Sequence, residues 1–534
     1  MSNTATNAPA PAPGEQITPK PRRITEFLLL IVALAIGVGA NILVDPDRLA
    51  EDPARIITSG AVLAGGGLLI HVVLWIRARH ADPYLLPIAV TLNGLGLAMI
   101  HRIDLSTGQT ASDTQVIWTG LAMVVACAVL WLLKDHRLLR KMTYISLLLS
   151  ALLLLLPMIP GLGVEINGAR LWISIAGRTF QPGEIAKITL AIFFAGYLST
   201  NRDLIMLAGH KIGPVRLPRF KDTAPLLAAW VIAIGVLVLQ RDLGTAILFF
   251  GLFLVMIYLA TGRPSWIVLG VLLMVVGGFA ASRIFSHVSL RLDSWLNAFE
   301  PEVYNRPLGG SGQIVQGLFG LASGGLFGQG LGQGRPDLVS YANSDMIITA
   351  FGEELGLIGL GAILSMFMLF ATRGLRAALG TRDTFGKLLA AGLSALMIIQ
   401  LLVVIGGVTR LLPLTGLTTP FMSAGGSSLL SNWIIAAILL AISHTARRPT
   451  LTGPATDEDY AELEAHARAT REGRGADEEA GDSEPTTELS SSVAGTRTTT
   501  EDAGTATEAI SRIRGRSGSQ SPDQPDSTPE GGRP

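Results

Sequence analysis

The chain has 534 residues, of which 49% are hydrophobic and 15% charged, against roughly a quarter charged in an ordinary soluble domain. That composition excludes a soluble globular protein and fits one embedded in a membrane. The formal charge is +0 and there is a single cysteine, so neither a disulfide framework nor a thiolate metal cluster is expected, no nucleic-acid partner is implied, and Cys127, inside an apolar run, is left a packing role.

Residues 1–23 are rich in Pro, Ala and Thr, end on Lys20, Arg22 and Arg23, and read as a disordered cytoplasmic N-terminus. The apolar run 24–44 is longer than the roughly 7–15 residues of a cleaved signal core, so it reads as a retained first span. Further runs of spanning length recur at 56–76, 83–100, 117–133, 142–159, 185–198, 224–240, 245–260, 266–285, 346–371, 388–408 and 427–443. They predict an all-α polytopic membrane protein with about twelve transmembrane helices over 24–445.

The loops alternate in charge. One set carries Arg77 and Arg79, Lys134 to Lys141, Arg202 to Lys221, Arg373 to Lys387, and Arg447 and Arg448. The positive-inside rule places that set, and both termini, in the cytoplasm. The other set faces outward and includes one long loop, 286–345. It opens with "SHVSLRLDSWLNAF", whose Val288, Leu292, Trp295, Leu296 and Phe299 share helical spacing, as in a helix lying in the membrane interface. "GLASGGLFGQGLGQGRPD" follows. No strand precedes it, so its glycines read as backbone that closely approaches a ligand or helix and not as a dinucleotide loop. The segment 446–534 is Ser/Thr-rich and, beyond Leu451, carries roughly ten more acids than bases; it reads as a disordered cytoplasmic tail with hydroxyls for a kinase or no role at all.

Four outer segments hold the candidates for chemistry. In "VLVLQRDLGTAILFF", Arg241 and Asp242 interrupt an apolar stretch; Asp242 either caps the next helix or serves as a functional acid. "NGARLWISIAGRTFQPGEIAKI" supplies Arg170 and Arg178, then Glu184 and Lys187 three apart on one helix face, either a structural ion pair or part of a basic rim with Arg241 for an anionic ligand. "YANSDMIITAFGEELGLIG" supplies Asp345 at the start of a span and Glu353 and Glu354 about two turns in, either functional or bonded to neighbouring backbone. "TRLLPLTGLTTPFMSAGGSSLLSNW" contains Thr415, Ser423 and Ser427 among prolines and glycines that forbid a regular helix, and irregular backbone at this depth is tolerated only where it is buried or lines a wet cavity.

These four segments, in this order, resemble the signatures of the SEDS family of polytopic membrane proteins of shape, elongation, division and sporulation; the likeness spans roughly residues 142–445. The two leading spans and "LNGLGLAMIHRIDL" resemble the elongation, RodA-like branch of high-GC Gram-positive bacteria more than the division, FtsW-like branch. The sequence departs from the family pattern at Arg241, Gly183 and Met346, without losing an ionisable group.

The resemblance implies a peptidoglycan glycosyltransferase of the plasma membrane that polymerises lipid II on the outer face, working with a class B penicillin-binding protein as transpeptidase. It casts Asp242 as the catalytic acid that deprotonates or orients the acceptor hydroxyl. Arg170, Arg178, Glu184, Lys187, Arg241, Asp345, Glu353, Glu354, Thr415, Ser423 and Ser427 become substrate contacts. Lys187, Arg178 and a divalent cation, Mg or Mn, would neutralise the pyrophosphate, with no organic cofactor. A lipid II flippase or a non-catalytic scaffold for the penicillin-binding protein would use many of the same features.

Overall fold

A chain crossing hydrocarbon has no water to satisfy its amides, so long apolar runs without an edge partner close their hydrogen bonds as helices. The computed structural model describes residues 21–44 and 53–448, except 167, 176, 208, 213, 214, 219 and 308. The expected disorder of residues 1–20 and of the tail beyond 448 therefore lies outside the described residues.

The first four long helices are α1 (Arg23–Val44), α2 (Pro53–Arg77), α3 (Leu85–Thr107) and α4 (Ala111–Leu132). A short α5 (Leu138–Lys141) leads into α6 (Thr143–Leu155). Then come α7 (Gly183–Leu207), α8 (Phe220–Leu239), α9 (Leu243–Thr261) and α10 (Ser265–Ile284). The long loop folds as α11 (Ser286–Leu296), α12 (Pro301–Tyr304) and α13 (Gly312–Gly324), and the chain returns through α14 (Ile347–Gly380), α15 (Thr384–Val408) and α16 (Gly426–Arg447).

Among the described residues nine helices, α1–α4, α9, α10 and α14–α16, are long and apolar enough to cross a membrane. The other three expected spans coincide with α6, α7 and α8. The fold is mostly helical, as expected, with two additions: an antiparallel sheet of β1 (Gly163–Ile166), β2 (Ala169–Ile175) and β3 (Arg178–Phe180), and a hairpin of β4 (Gly209–Ile212) and β5 (Val215–Pro218). Expected as plain loop, the stretch 163–180 alternates well enough to pair Val164 with Trp172 and Ile173 with Phe180.

The core lies where α3, α7, α9, α14, α15 and α16 meet. Phe193, Phe194, Phe249, Phe367, Phe370 and Trp433 are all fully buried there. By contrast α10 buries only Gly270. At one end of the bundle Asp82, itself buried, pairs with Arg447 and lies 3.8 Å from Arg373, which joins the start of α3 to the ends of α14 and α16.

One irregularity lies beside the long loop. α14 breaks at Gly356, whose φ of 67° and ψ of −171° interrupt its ladder and free backbone groups on both sides. The glycine-rich stretch after α13 pairs those groups: Gln329 and Gly330 donate to the carbonyls of Glu353 and Glu354, while Leu357 and Ile358 donate to those of Gly325 and Leu326. Only glycine fits. A Cβ on Gly328, at φ 82°, would stand 2.2 Å from the Glu354 carbonyl oxygen, so the "GLFGQGLGQG" composition is a requirement of close backbone approach, as expected. The helix expected in the membrane interface is α11. Leu296 and Phe299 at its end are exposed, while the Trp295 indole donates to the Arg410 carbonyl at 3.0 Å and Arg410 Nε returns a bond to the Trp295 carbonyl at 2.8 Å.

Candidate active site

Between α8 and α9 the chain turns through Gln240, Arg241 and Asp242. Arg241 adopts the left-handed region at φ 63°, which lets the Asp242 amide donate back to Leu237 at 2.9 Å. Asp242 Oδ1 then accepts from the Thr245 amide at 2.9 Å, so the cap foreseen in the sequence is formed. The carboxyl is nonetheless 7% exposed, in a narrow crevice whose walls include Leu154, Pro157, Leu171, Gln181 and Gln240. On its other side Gly244 admits the broken segment before α16: a Cβ there would lie 3.0 Å from the Thr415 carbonyl oxygen.

That carbonyl also accepts from Arg291, on α11, at 3.1 Å, and the neighbouring Leu414 carbonyl accepts from the same nitrogen at 3.3 Å. Arg291 thereby stands within electrostatic reach of two acids, Asp242 and Asp345. Asp345, just before α14, takes two bonds from the Gln313 amide at 3.2 and 3.3 Å. Burial pushes the Asp345 carboxyl up to about 6; its own backbone, Gln313 and Arg291 oppose the rise. Burial also raises Asp242, against the bonds from Thr245 and the charge of Arg291, with Glu184 adding to the rise. The Arg291 guanidinium is lowered by the same burial and held up by its two acids. The structure thus gathers Asp242, Asp345 and Thr415 around one arginine.

Arg291 is not among the candidates expected from sequence, because it sits between Leu290 and Leu292 in a stretch whose apolar spacing dominates. A cation among apolar helix positions was the signal available. His287, a turn earlier, is lowered by burial and then by Arg241 and Arg291, which makes it a neighbour of the same cluster.

The remaining candidates fall into three groups. Glu184 and Lys187 form a buried pair at 2.6 Å; Lys187 also donates to Gln400 at 3.2 Å, and Glu184 accepts from Ser431 at 2.9 Å, so Lys187 is compensated inside the bundle. Arg170 pairs with Glu165 at 2.9 Å within the hairpin, Arg178 is exposed on β3, and Arg241 reaches the Gly168 carbonyl at 3.3 Å. Of the expected basic rim, Arg241 is therefore the member adjoining Asp242 in the chain, with Arg291 added.

Glu353 and Glu354 face the glycine strap. Glu353 accepts from the Arg335 amide, and Glu354 from the Gly332 amide, each at 2.9 Å; Arg102 completes Glu354 at 3.0 Å. This is the backbone-bonding alternative left open in the sequence. Ser423 donates to the Ser344 carbonyl at 2.6 Å and so fixes the residue before Asp345, while Ser427 accepts from the Gln181 amide at 2.8 Å and ties the hairpin's end to α16. Among the described residues no group of three or more His, Cys, Asp or Glu side chains is placed to hold a metal ion. Those described residues therefore offer no closed cation cage.

The geometry belongs to a known class. The family model described as cell cycle protein, FtsW/RodA/SpoVE, matches residues 83–448, and the chain belongs to that family of multi-pass membrane proteins. It is 47% identical over 440 residues to the peptidoglycan glycosyltransferase RodA of Mycobacterium tuberculosis (strain ATCC 25618 / H37Rv), covering 81% of this chain and 93% of that protein. It is 32% identical over 391 residues to the probable peptidoglycan glycosyltransferase FtsW of Trichlorobacter lovleyi, covering 71% and 97%. A solved chain from a peptidoglycan synthase complex in which polymerization and crosslinking are coordinated shares its fold, with a TM-score of 0.55 and 23% identity over 68% of this chain and 98% of that one.

Proposed function

We propose that this chain polymerises lipid II into glycan strands, with the acids Asp242 and Asp345 and the arginine within electrostatic reach of both, Arg291, as its centre. The chain is a peptidoglycan glycosyltransferase, and its greater identity to RodA than to FtsW, 47% against 32%, assigns it to elongation.

In the proposed reaction a sugar hydroxyl of the acceptor attacks the anomeric carbon of the lipid-linked donor. The C–O bond to the pyrophosphate breaks with inversion, and the hydroxyl proton passes to a carboxylate. A general base works best with a pKa near ambient pH. Asp345, pushed up to about 6, meets that condition, whereas one oxygen of Asp242 is already committed to Thr245. Asp345 takes the proton, and Asp242 orients the hydroxyl and holds Arg291. Arg291 and Arg241 face the negative charge that develops on the leaving pyrophosphate. This divides between two acids the role first given to Asp242 alone.

A divalent cation, Mg or Mn, fits only as a shared ion: Asp242 would be its protein ligand and substrate phosphates and water the rest, as is common for Mg. Bound so, it would supply further positive charge to the pyrophosphate. The site faces outward at the plasma membrane, both termini are cytoplasmic, and a class B penicillin-binding protein crosslinks the product. The observation that carries the reading is that Asp242, buried, and Asp345, part-buried, lie within electrostatic reach of one guanidinium. Its test is glycan-strand formation from purified lipid II by wild type, Asp242→Asn and Asp345→Asn.

A further inference from the structure

Helices α1 and α2 precede the residues that define the family, which begin at 83, yet both reach the outer site. At the outer end of α1, Ala40 and Val44 pack with Ala98 and with Leu331 of the glycine strap. Gly332, at φ 83°, lies so close that a Cβ on it would stand 3.0 Å from the Val44 carbonyl oxygen. One turn back, Asn41 bonds Ser59 on α2 at 3.1 Å and the ring of His101 on α3 at 2.8 Å. The next residue, Arg102, holds Glu354 and also the Gly334 carbonyl, at 2.7 Å.

A second route runs through α2. Arg55 donates to Ser112 at 2.8 Å, pairs with Asp113 at 2.9 Å and lies 3.8 Å from Asp104. Asp104 is buried; its Oδ2 accepts from the Ser112 amide at 2.7 Å, and its Oδ1 has no hydrogen-bond partner among the described residues. The Arg55 guanidinium thus offsets a carboxylate that would otherwise destabilise this turn. A turn further along α4, Gln115 bonds the Ser423 carbonyl and the Gly425 amide, both at 3.1 Å. In the same region Gln109 accepts from Asn343, whose carbonyl accepts from Ala424. Both the segment carrying Thr415 and the approach to Asp345 hang on this corner.

We propose that the α1–α2 pair is a brace that positions the catalytic loops from outside the family domain, with Arg55 and Val44 as positioning residues. The proposal rests on the polymerase reading for its kinetic arm only. Neither residue touches substrate. Their effect passes through Asp104, Ser112 and Gln115 on one side and Leu331 and Gly332 on the other.

The test uses the full-length protein in detergent or nanodiscs. It compares wild type with Arg55→Gln, Arg55→Lys and Leu331→Ala by lipid II polymerisation kinetics and by hydrogen exchange. We expect Arg55→Gln and Leu331→Ala to lower kcat about tenfold, the scale of small misplacements of reacting groups, with KM within about twofold. Arg55→Lys restores most of the rate. Exchange rises over 411–425 in Arg55→Gln and over 325–345 in Leu331→Ala, while α15 stays protected. Unchanged exchange at both segments, or exchange rising equally in α15, overturns the brace. A wild type that makes no strands sinks the polymerase reading instead, and the exchange arm still decides on the brace.

Discussion

Arg291 donates to the Thr415 carbonyl oxygen at 3.1 Å, and through that bond a helix of the long loop is fastened to the broken segment that packs on the first turn of α9. The bond holds the guanidinium within electrostatic reach of Asp242 and Asp345. Arg291→Gln leaves the two acids without their shared cation, so polymerisation falls at least about a hundredfold, the scale of losing one preorganised charge contact. Arg291→Lys keeps the charge and loses less. Strand formation by the two variants, at matched thermal stability, checks the ordering.

The pH profile carries a sign. Asp345 works as a base only when deprotonated, so kcat/KM falls as pH drops through about 6, the value to which burial raises it. Arg291 lowers that value; Arg291→Gln therefore moves the acid limb to higher pH. A limb that stays in place shows that Asp345 is not the titrating group.

At Gly328 a methyl group has no room, since its position lies 2.2 Å from the Glu354 carbonyl oxygen and φ is 82°. Gly328→Ala costs about 1–3 kcal/mol through backbone strain alone, and more from the clash. A fall in Tm with loss of protection across 325–335 is the expected result.

Arg102→Ala leaves Glu354, fully buried, without its cationic partner. A cost of about 3 kcal/mol follows. The pair Arg102→Met with Glu354→Leu recovers much of it, and a double-mutant cycle on Tm measures the coupling.

Chelation of divalent ions separates a shared cation from a structural one. The polymerisation rate falls and returns with Mg or Mn, while Tm in the absence of substrate is unchanged, because the described residues contribute no closed set of ligands.

Much of this was legible in the sequence, and the reason is locality. Asp242 followed by Gly244 and Thr245 announces a cap, Pro182 before Glu184 and Lys187 announces a helix start with an ion pair, and the strap's glycines announce close backbone approach. All three are formed. What was not legible depends on partners far along the chain. Arg291 gains meaning only when residues 414 and 415 are folded against it, more than a hundred positions away. The break at Gly356 is stable only because residues 325–330 supply its hydrogen bonds, and spacing along α14 alone reads as one continuous span. Lys187 looked like a rim cation because its three-residue spacing from Glu184 does not reveal Gln400 on another helix. The three-stranded sheet at 163–180 is hard to read because three short strands between spans carry less signal than the apolar runs beside them.

The most direct measurement is lipid II polymerisation by the purified protein with its transpeptidase partner and divalent ions present, comparing wild type, Asp242→Asn and Asp345→Asn at equal expression and equal Tm. Glycan strands from wild type and none from either variant is the predicted result. Strands from both variants at the wild-type rate would contradict the account and move the chemistry away from the two acids that share Arg291.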